Sequence, residues 1–206
     1  MYSQISLEAQ LKRWNEAIAS RPEDPRAYIQ RGMVNFKLAR IDPSIQDFDR
    51  AEELDASITP YLWQRGLSYY YAERYPEGAQ QFEVDLKVNS QDVEETVWRY
   101  LCIARSRGVT AAQNSLLVVR DDPRLVMRRV YDLYAGNCTI NDVLAAGESS
   151  GKTGNFYSHL YLGLYWEAAG DEERSGHYIL KAVTEYAIDD YMWHLAKVHQ
   201  TLRGWT

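Results

Sequence analysis

Apolar residues along this chain recur at three- and four-residue intervals, the spacing that keeps them on one face of a helix. No segment alternates apolar and polar positions for long enough to read as a strand. The pattern predicts two regular helix pairs, over 25–56 and 59–90, and a less regular pair over 93–107 and 110–120. Gly108 sits where it would end a helix, and Asp122-Pro123 opens another, running to about Tyr134, with proline in the first turn where its missing N–H costs nothing. Gly136-Asn137 breaks that helix, and Asn141 to Glu148 reads as a short return, giving a second irregular pair over 123–148. The run SSGKTGN at 149–155 predicts the longest loop, followed by a pair over 156–187 and a last helix over 189–203. Half of the same unit occupies 3–22, which makes twelve helices in all and a single all-α domain spanning residues 1–206.

These pairs are copies of one unit. Gln-Arg-Gly occurs at 30–32 and again at 64–66, a separation of 34 residues, and a phenylalanine follows each glycine by sixteen positions, Phe48 and Phe82. Gly163 stands in the same context, with Ile179 sixteen residues on and Ala182 nineteen residues on, where the first unit has Ala51. Trp14, Ala17 and Pro22 fit the second half of a unit that ends just before Pro25. A small residue recurring at fixed distance from a large one is what a close crossing of paired helices demands, and each such hairpin must stack on its neighbours to bury its open face.

Large residue, small residue at a crossing, aromatic, then Ala and Phe in the second helix: this order resembles the tetratricopeptide repeat, closely over 25–56 and 59–90 and less so over 156–187. The departures are Arg31 and Arg65 where that family has leucine, Asp85 in place of an alanine, and no closing proline in the three fuller repeats. Through RGLSYYY (65–71) and LYLGLYWEAAGD (160–171) the chain also resembles bacterial NlpI-type adaptors and plastid tetratricopeptide-like proteins. The resemblance implies a right-handed helical-repeat solenoid of about five antiparallel hairpins, a half repeat and a C-terminal capping helix on the exposed end of the stack. It also implies a non-catalytic adaptor that holds a peptide or helix of another protein on its concave face, in the assembly of a larger complex.

The chemistry-bearing residues fit that reading. Gly151-Lys152-Thr153 follows Gly147 by three residues where a phosphate loop needs four, and no strand precedes it. His194 and His199 are five apart and fall on different helical faces, unlike a zinc pair, and His159 and His177 are isolated. No nucleophile motif is present, the acid pairs Asp121-Asp122, Glu94-Glu95 and Asp189-Asp190 read as helix-start charges, and Asn137-Cys138-Thr139 is a glycosylation sequon only if the chain is secreted. The expectation is no enzyme, no cofactor and no metal. Two cysteines, Cys102 and Cys138, make no disulfide framework. No apolar run reaches membrane-spanning length, and the first residues, MYSQISLEAQLKRW, lack a signal-peptide pattern. A soluble protein is expected, cytoplasmic or plastid if a transit peptide has been removed.

A net charge of −6, from 23 basic and 29 acidic residues, argues against nucleic acid as the partner. An RNA-binding helical-repeat protein or an enzyme on a helical scaffold would be the alternatives. Charge is uneven, however. Between Arg99 and Arg129 lie seven arginines and only two acids, Asp121 and Asp122. Arg120, Arg124 and Arg128 recur every four residues and predict a secondary basic ridge for an acidic partner. Arg31 and Arg65 replace buried leucines, so an ion-pair ladder with Asp47, Asp49, Glu83 and Asp85 is expected.

The resemblance places the first helix of each hairpin on the concave side, and helical spacing then brings inward the positions three before, one after and four after the glycine. These are Ile29, Met33 and Phe36 in the first unit, and Trp63, Leu67 and Tyr70, with Tyr71 beside them, in the second. Aligning Trp98 with Trp63 adds Trp98, Cys102 and Arg105; the last hairpin adds Leu160, Leu164 and Glu167. Ile29, Met33, Phe36, Trp63, Leu67, Tyr70, Tyr71, Trp98 and Arg105 thus form the candidate partner-binding groove, unless the chain's own terminal helices fill it. The carboxylate-binding clamp of some tetratricopeptide proteins uses Lys and Asn on this face. Here Ile29, Met33 and Gln64 stand there, which argues against it. Homo-oligomerisation is left open by the sequence.

Overall fold

The computed structural model describes residues 6–120 and 122–206. Residues 3–5 of the expected half repeat, and Asp121, lie outside them. The described residues contain twelve α-helices, one short 3-10 helix and no strand. They run α1 (Leu7–Ser20), α2 (Pro25–Lys37), α3 (Ile41–Leu54), a 3-10 helix (Ala56–Tyr61), α4 (Trp63–Tyr71), α5 (Tyr75–Asp85), α6 (Val93–Arg107), α7 (Val109–Asn114), α8 (Leu125–Tyr134), α9 (Ile140–Ser149), α10 (Gly151–Ala168), α11 (Glu172–Thr184) and α12 (Tyr191–Leu202). Consecutive helices pack as neighbours, the arrangement of an all-α helical-repeat solenoid.

The glycines explain the pairing. A Cβ on Gly32 would lie 3.2 Å from the Phe48 ring, one on Gly66 2.7 Å from Phe82, and one on Gly163 2.6 Å from Ile179. The hairpins at Gly66 and Gly163 therefore close to a distance that only glycine permits, and the one at Gly32 is nearly as tight, each over a large residue sixteen positions on.

The arginines form a longer series than the two that break the leucine pattern. Arg31 grips Asp47 with Nε at 3.0 Å and Nη2 at 2.6 Å, and reaches Asn15 with Nη1 at 3.0 Å. Arg65 donates to Gln81 (2.8 Å), Glu52 (2.7 Å) and Asp49 (3.1 Å). Arg99 donates to Glu83 (2.5 Å) and to the Ser115 carbonyl (2.7 Å). Arg31, Arg65 and Arg99 are 34 residues apart, and each contacts residues sixteen before and sixteen after itself. One cation thus ties the second helix of its own hairpin to that of the hairpin before. Asp85 does not touch Arg65 but is bonded by Gln81 (2.7 Å), and burial raises its carboxyl to about 7.

Arg99 also corrects a register. A spacing of 34 aligns Arg99 with Arg65, so pairing Trp98 with Trp63 is one residue out. Tyr100, buried at the glycine position, replaces the close crossing, and Cys102 faces α5, where a Cβ on Gly78 would lie 2.8 Å from its Sγ.

Two further expectations are overturned. The helix over 110–120 is only six residues long and stops at Asn114, and α8 starts at Leu125 rather than at Asp122-Pro123, leaving 115–120 and 122–124 outside helix. The predicted loop 149–155 is the last residue of α9, a single linking residue, Ser150, and the first turn of α10. Gly154, with Gly147 before it, is a packing residue: a Cβ on Gly147 would strike Ser158, and one on Gly154 would strike Ser150, so α9 and α10 cross closely there. Only Gly151, at φ +71°, uses glycine's conformational freedom. The last helix follows α11, packs on it and also reaches α2.

Candidate functional site

The stripe expected on the concave face is covered by the chain itself. Tyr191, at the start of α12, stacks on Phe36 at 5.9 Å between ring centroids and meets Trp63 edge-on at 5.4 Å. Further along α12, His199 Nδ1 is 3.0 Å from the Tyr71 hydroxyl. Trp98 packs edge-on against Tyr70 at 5.2 Å. Phe36, Leu67 and Tyr70 are fully buried, Trp98 is 2% exposed and Tyr71 is buried. Ile29, Met33 and Trp63 are half-buried, and Arg105 is exposed, donating to the Tyr75 hydroxyl at 3.2 Å. The predicted stripe is therefore brought together, but as the seat of α12 and not as an open groove. Only its edges reach solvent.

A buried ionic centre locks that seat. Glu167 of α10 accepts from the Tyr70 hydroxyl and from Arg203 Nε at 2.6 Å, with His199 Nε2 at 3.7 Å. Burial opposes its ionisation, but His199, Arg203 and the Tyr70 hydroxyl outweigh this and hold the carboxyl below its ordinary value. His199 is pushed down to about 4 by burial, against the pull of Glu167, so it is neutral at pH 7 and Arg203 is the balancing cation. Three helices distant in sequence, α4, α10 and α12, meet here.

The arginine ridge divides. Arg124 is engaged inward, on Asp122 Oδ2 at 2.8 Å and Glu94 Oε1 at 2.5 Å. Arg120 and Arg128 are exposed; Arg128 donates to the Asp122 carbonyl at 2.6 Å. With Arg129, which pairs with Asp132 at 3.0 Å, they border a cleft of about 300 Å³ floored by Val93 and Val119. Beside it Leu117, Val118 and Leu125 are exposed, Val118 at 63%. Sequence reasoning missed these aliphatics because it read all of 110–120 as the helix paired with 93–107. The signal available was the string Leu116-Leu117-Val118-Val119, too continuous for one helical face.

A second opening, of about 410 Å³, lies where α6 and α12 begin. Trp63, Trp98, Tyr157 and Tyr191 wall it, and Asp92, Glu94, Glu95 and Asp190 bring carboxylates to it. Asp92 and Asp190 cap the two helices, accepting from Glu95 N (2.9 Å) and Met192 N (2.7 Å). No group of three or more potential metal-ligating side chains occurs among the described residues, and no helix there is long and apolar enough to cross a membrane.

The chain matches no protein-family model. It is similar to the Protein SGT1 homolog of Bos taurus, 25% identical over 112 residues, which is 52% of this chain and 33% of that protein. It is also similar to the Hsp70-Hsp90 organizing protein of Triticum aestivum, 26% identical over 94 residues, 46% of this chain and 16% of the relative. The Hsp70-Hsp90 organizing protein 3 of Arabidopsis thaliana is 27% identical over 84 residues, 41% of this chain and 15% of its own length. The chain thus spans a third or less of each of these relatives. With the fold, they support a helical-repeat protein of the tetratricopeptide type, of the kind used for protein–protein interaction.

Proposed function

We propose that the chain is a non-catalytic adaptor that docks an acidic, partly apolar segment of a partner protein on the surface between α7 and α8. The observation that carries this is the exposed Leu117, Val118 and Leu125 beside Arg120, Arg128 and Arg129 at an open cleft, on a molecule whose aromatic stripe is covered by α12. Exposed aliphatics bordered by cations suit an apolar anchor flanked by carboxylates, the anchor supplying affinity and the charges orientation and on-rate. RNA would call for aromatic stacking faces among the arginines; apart from Tyr131, aliphatics stand there instead. The low-identity relatives, two of them named as organizing Hsp70 and Hsp90, support an adaptor role, and recruitment into a larger assembly is its expected context.

The test is to pan random twelve-residue peptides against the intact protein. Recovered peptides should place acids around one large apolar residue, and should lose at least tenfold in affinity for Arg120→Ala/Arg128→Ala and for Val118→Ser. Peptides that bind those variants as tightly as the parent would refute the assignment of this surface.

A further inference from the structure

We infer that the opening at the start of α6 and α12 is a second binding site, one that takes the arginine side chain of a partner segment between its aromatic walls. It shares no lining residue with the cleft by α8: its residues come from α4, α5, α6, α10, the start of α12 and the segment before α6.

Three observations converge. The first is charge: four carboxylates, Asp92, Glu94, Glu95 and Asp190, line the opening, and no lysine or arginine does. Two cations stand at its rim: Arg124 pairs with Glu94 and Asp122 and lies over the Tyr157 ring at 5.9 Å, and Lys37 lies over the Tyr191 ring, 5.2 Å from its centroid. The second is the wall, since Trp63, Trp98, Tyr157 and Tyr191 present rings on which a planar guanidinium can stack. The third is a set of polar atoms left without hydrogen-bond partners: Glu95 Oε2, the Trp98 indole N–H and the Tyr191 hydroxyl. Trp98 is 2% exposed, and a buried donor or acceptor without a partner is costly unless a ligand supplies one. The guanidinium offers five donors, matching the carboxylates, and the carbonyl of the same segment offers an acceptor for an indole N–H.

Glu95 supplies a second readout. Burial, together with Asp92 and Asp85, raises its carboxyl to about 8, so near neutrality it carries a proton. The groups acting on it are Asp85 from α5, Asn89 and Asp92 before its helix and Glu94 within it, the last paired with Arg124; Tyr157 from α10 and Asp190 and Tyr191 at α12 share the opening. An arriving cation displaces that proton, so affinity should rise about tenfold per pH unit up to about 8 and then level off.

The probe is acetyl-Gly-Ser-Arg-Ser-Gly-amide, titrated into the intact protein and followed by the Trp98 indole N–H resonance and by calorimetry. The arginine peptide should shift that resonance and release a proton. The same peptide with citrulline in place of arginine, isosteric and neutral, should bind at least tenfold more weakly. Glu95→Gln should lose tenfold or more and flatten the pH profile; should that variant fail to fold, Trp63→Leu, at the half-exposed rim, should weaken binding at least fivefold. No shift at millimolar peptide, equal binding of the citrulline peptide, or wild-type affinity in a folded variant would overturn the proposal. Spermidine binding more tightly than the peptide would overturn the choice of a protein side chain as the occupant.

Discussion

Removing Arg31 should destabilise the protein more than removing Arg65, although Arg65 is the more buried of the two. The Arg65 side chain is 7% exposed, but the carboxylates it would abandon, Glu52 and Asp49, are 34% and 44% exposed. Water can solvate them once the guanidinium is gone. Arg31 is 26% exposed, yet its partner Asp47 is only 5% exposed and would keep Asn35 Nδ2, at 2.9 Å, as its remaining donor. Stranding a buried charge costs about 3–5 kcal/mol, whereas breaking a pair whose anions stand in solvent costs about 1 kcal/mol. Arg65→Met also orphans Gln81 Oε1 and leaves Asp85 without a nearby cation, so we assign it about 1–2 kcal/mol, against about 3 kcal/mol for Arg31→Met. In a chain of this size 1 kcal/mol moves Tm by about 2–4 °C, so the losses should be about 6–12 °C for Arg31→Met and 2–8 °C for Arg65→Met. Thermal and urea melts followed by circular dichroism at 222 nm measure both. Asp47→Asn in the Arg31→Met background removes the stranded charge, keeps an acceptor for Asn35, and should recover most of the loss. Equal losses in the two single variants, a larger loss in Arg65→Met, or no recovery in the double variant would show that exposure of the abandoned partner does not set the cost.

The contribution of His199 to stability should fall as the solution is acidified from pH 6.5 to about 4, opposite in sign to that of Asp85 and Glu95, whose raised carboxyls take up protons in the fold. Over that window an unfolded chain protonates the residue-199 imidazole and the folded one resists; the loss approaches about 3 kcal/mol, and His199→Phe should remove that part of the slope in urea melts taken at each pH. Gly66→Leu should cost about 1–3 kcal/mol by forcing apart the crossing at Phe82, read from the urea midpoint; an unchanged midpoint would mean that the hairpin has room to spare. Trp63→Ala/Tyr70→Ala should lower Tm by 10 °C or more, because Tyr70 is core and its hydroxyl holds Glu167. A stable double variant would reopen the groove as a docking site. Deleting residues 191–206 should expose Phe36, Trp63 and Tyr71, seen as strong binding of a hydrophobic dye with helical circular dichroism largely kept.

The sequence by itself determined the repeat. A 34-residue period, a glycine at each crossing and a large residue sixteen positions later are local, and the close approach of paired helices leaves no other use for them. The arginine series was equally legible, with Arg99 falling on the same period; the more conspicuous Trp63 and Trp98, 35 apart, drew the alignment one residue off. Where one residue type serves two purposes, local reading failed. Gly151 and Gly154 looked like loop punctuation, and only the contacts show that Gly154, with Gly147 before it, is a crossing residue. Residues 115–120 and 122–124 had helical spacing but form no helix: α7 ends at Asn114, and the ladder arginine Arg99 takes the Ser115 carbonyl. What tertiary structure alone decided is the fate of the aromatic stripe. An apolar face carries the same pattern whether a partner or the chain itself covers it. The cover is α12, about 120 residues distant from Tyr71 in sequence and held by Glu167, Arg203 and His199, groups that no periodicity connects. The driving force, apolar area removed from water, does not depend on which chain supplies the cover, so only the path of the folded chain could show which face is filled and which surfaces are left open.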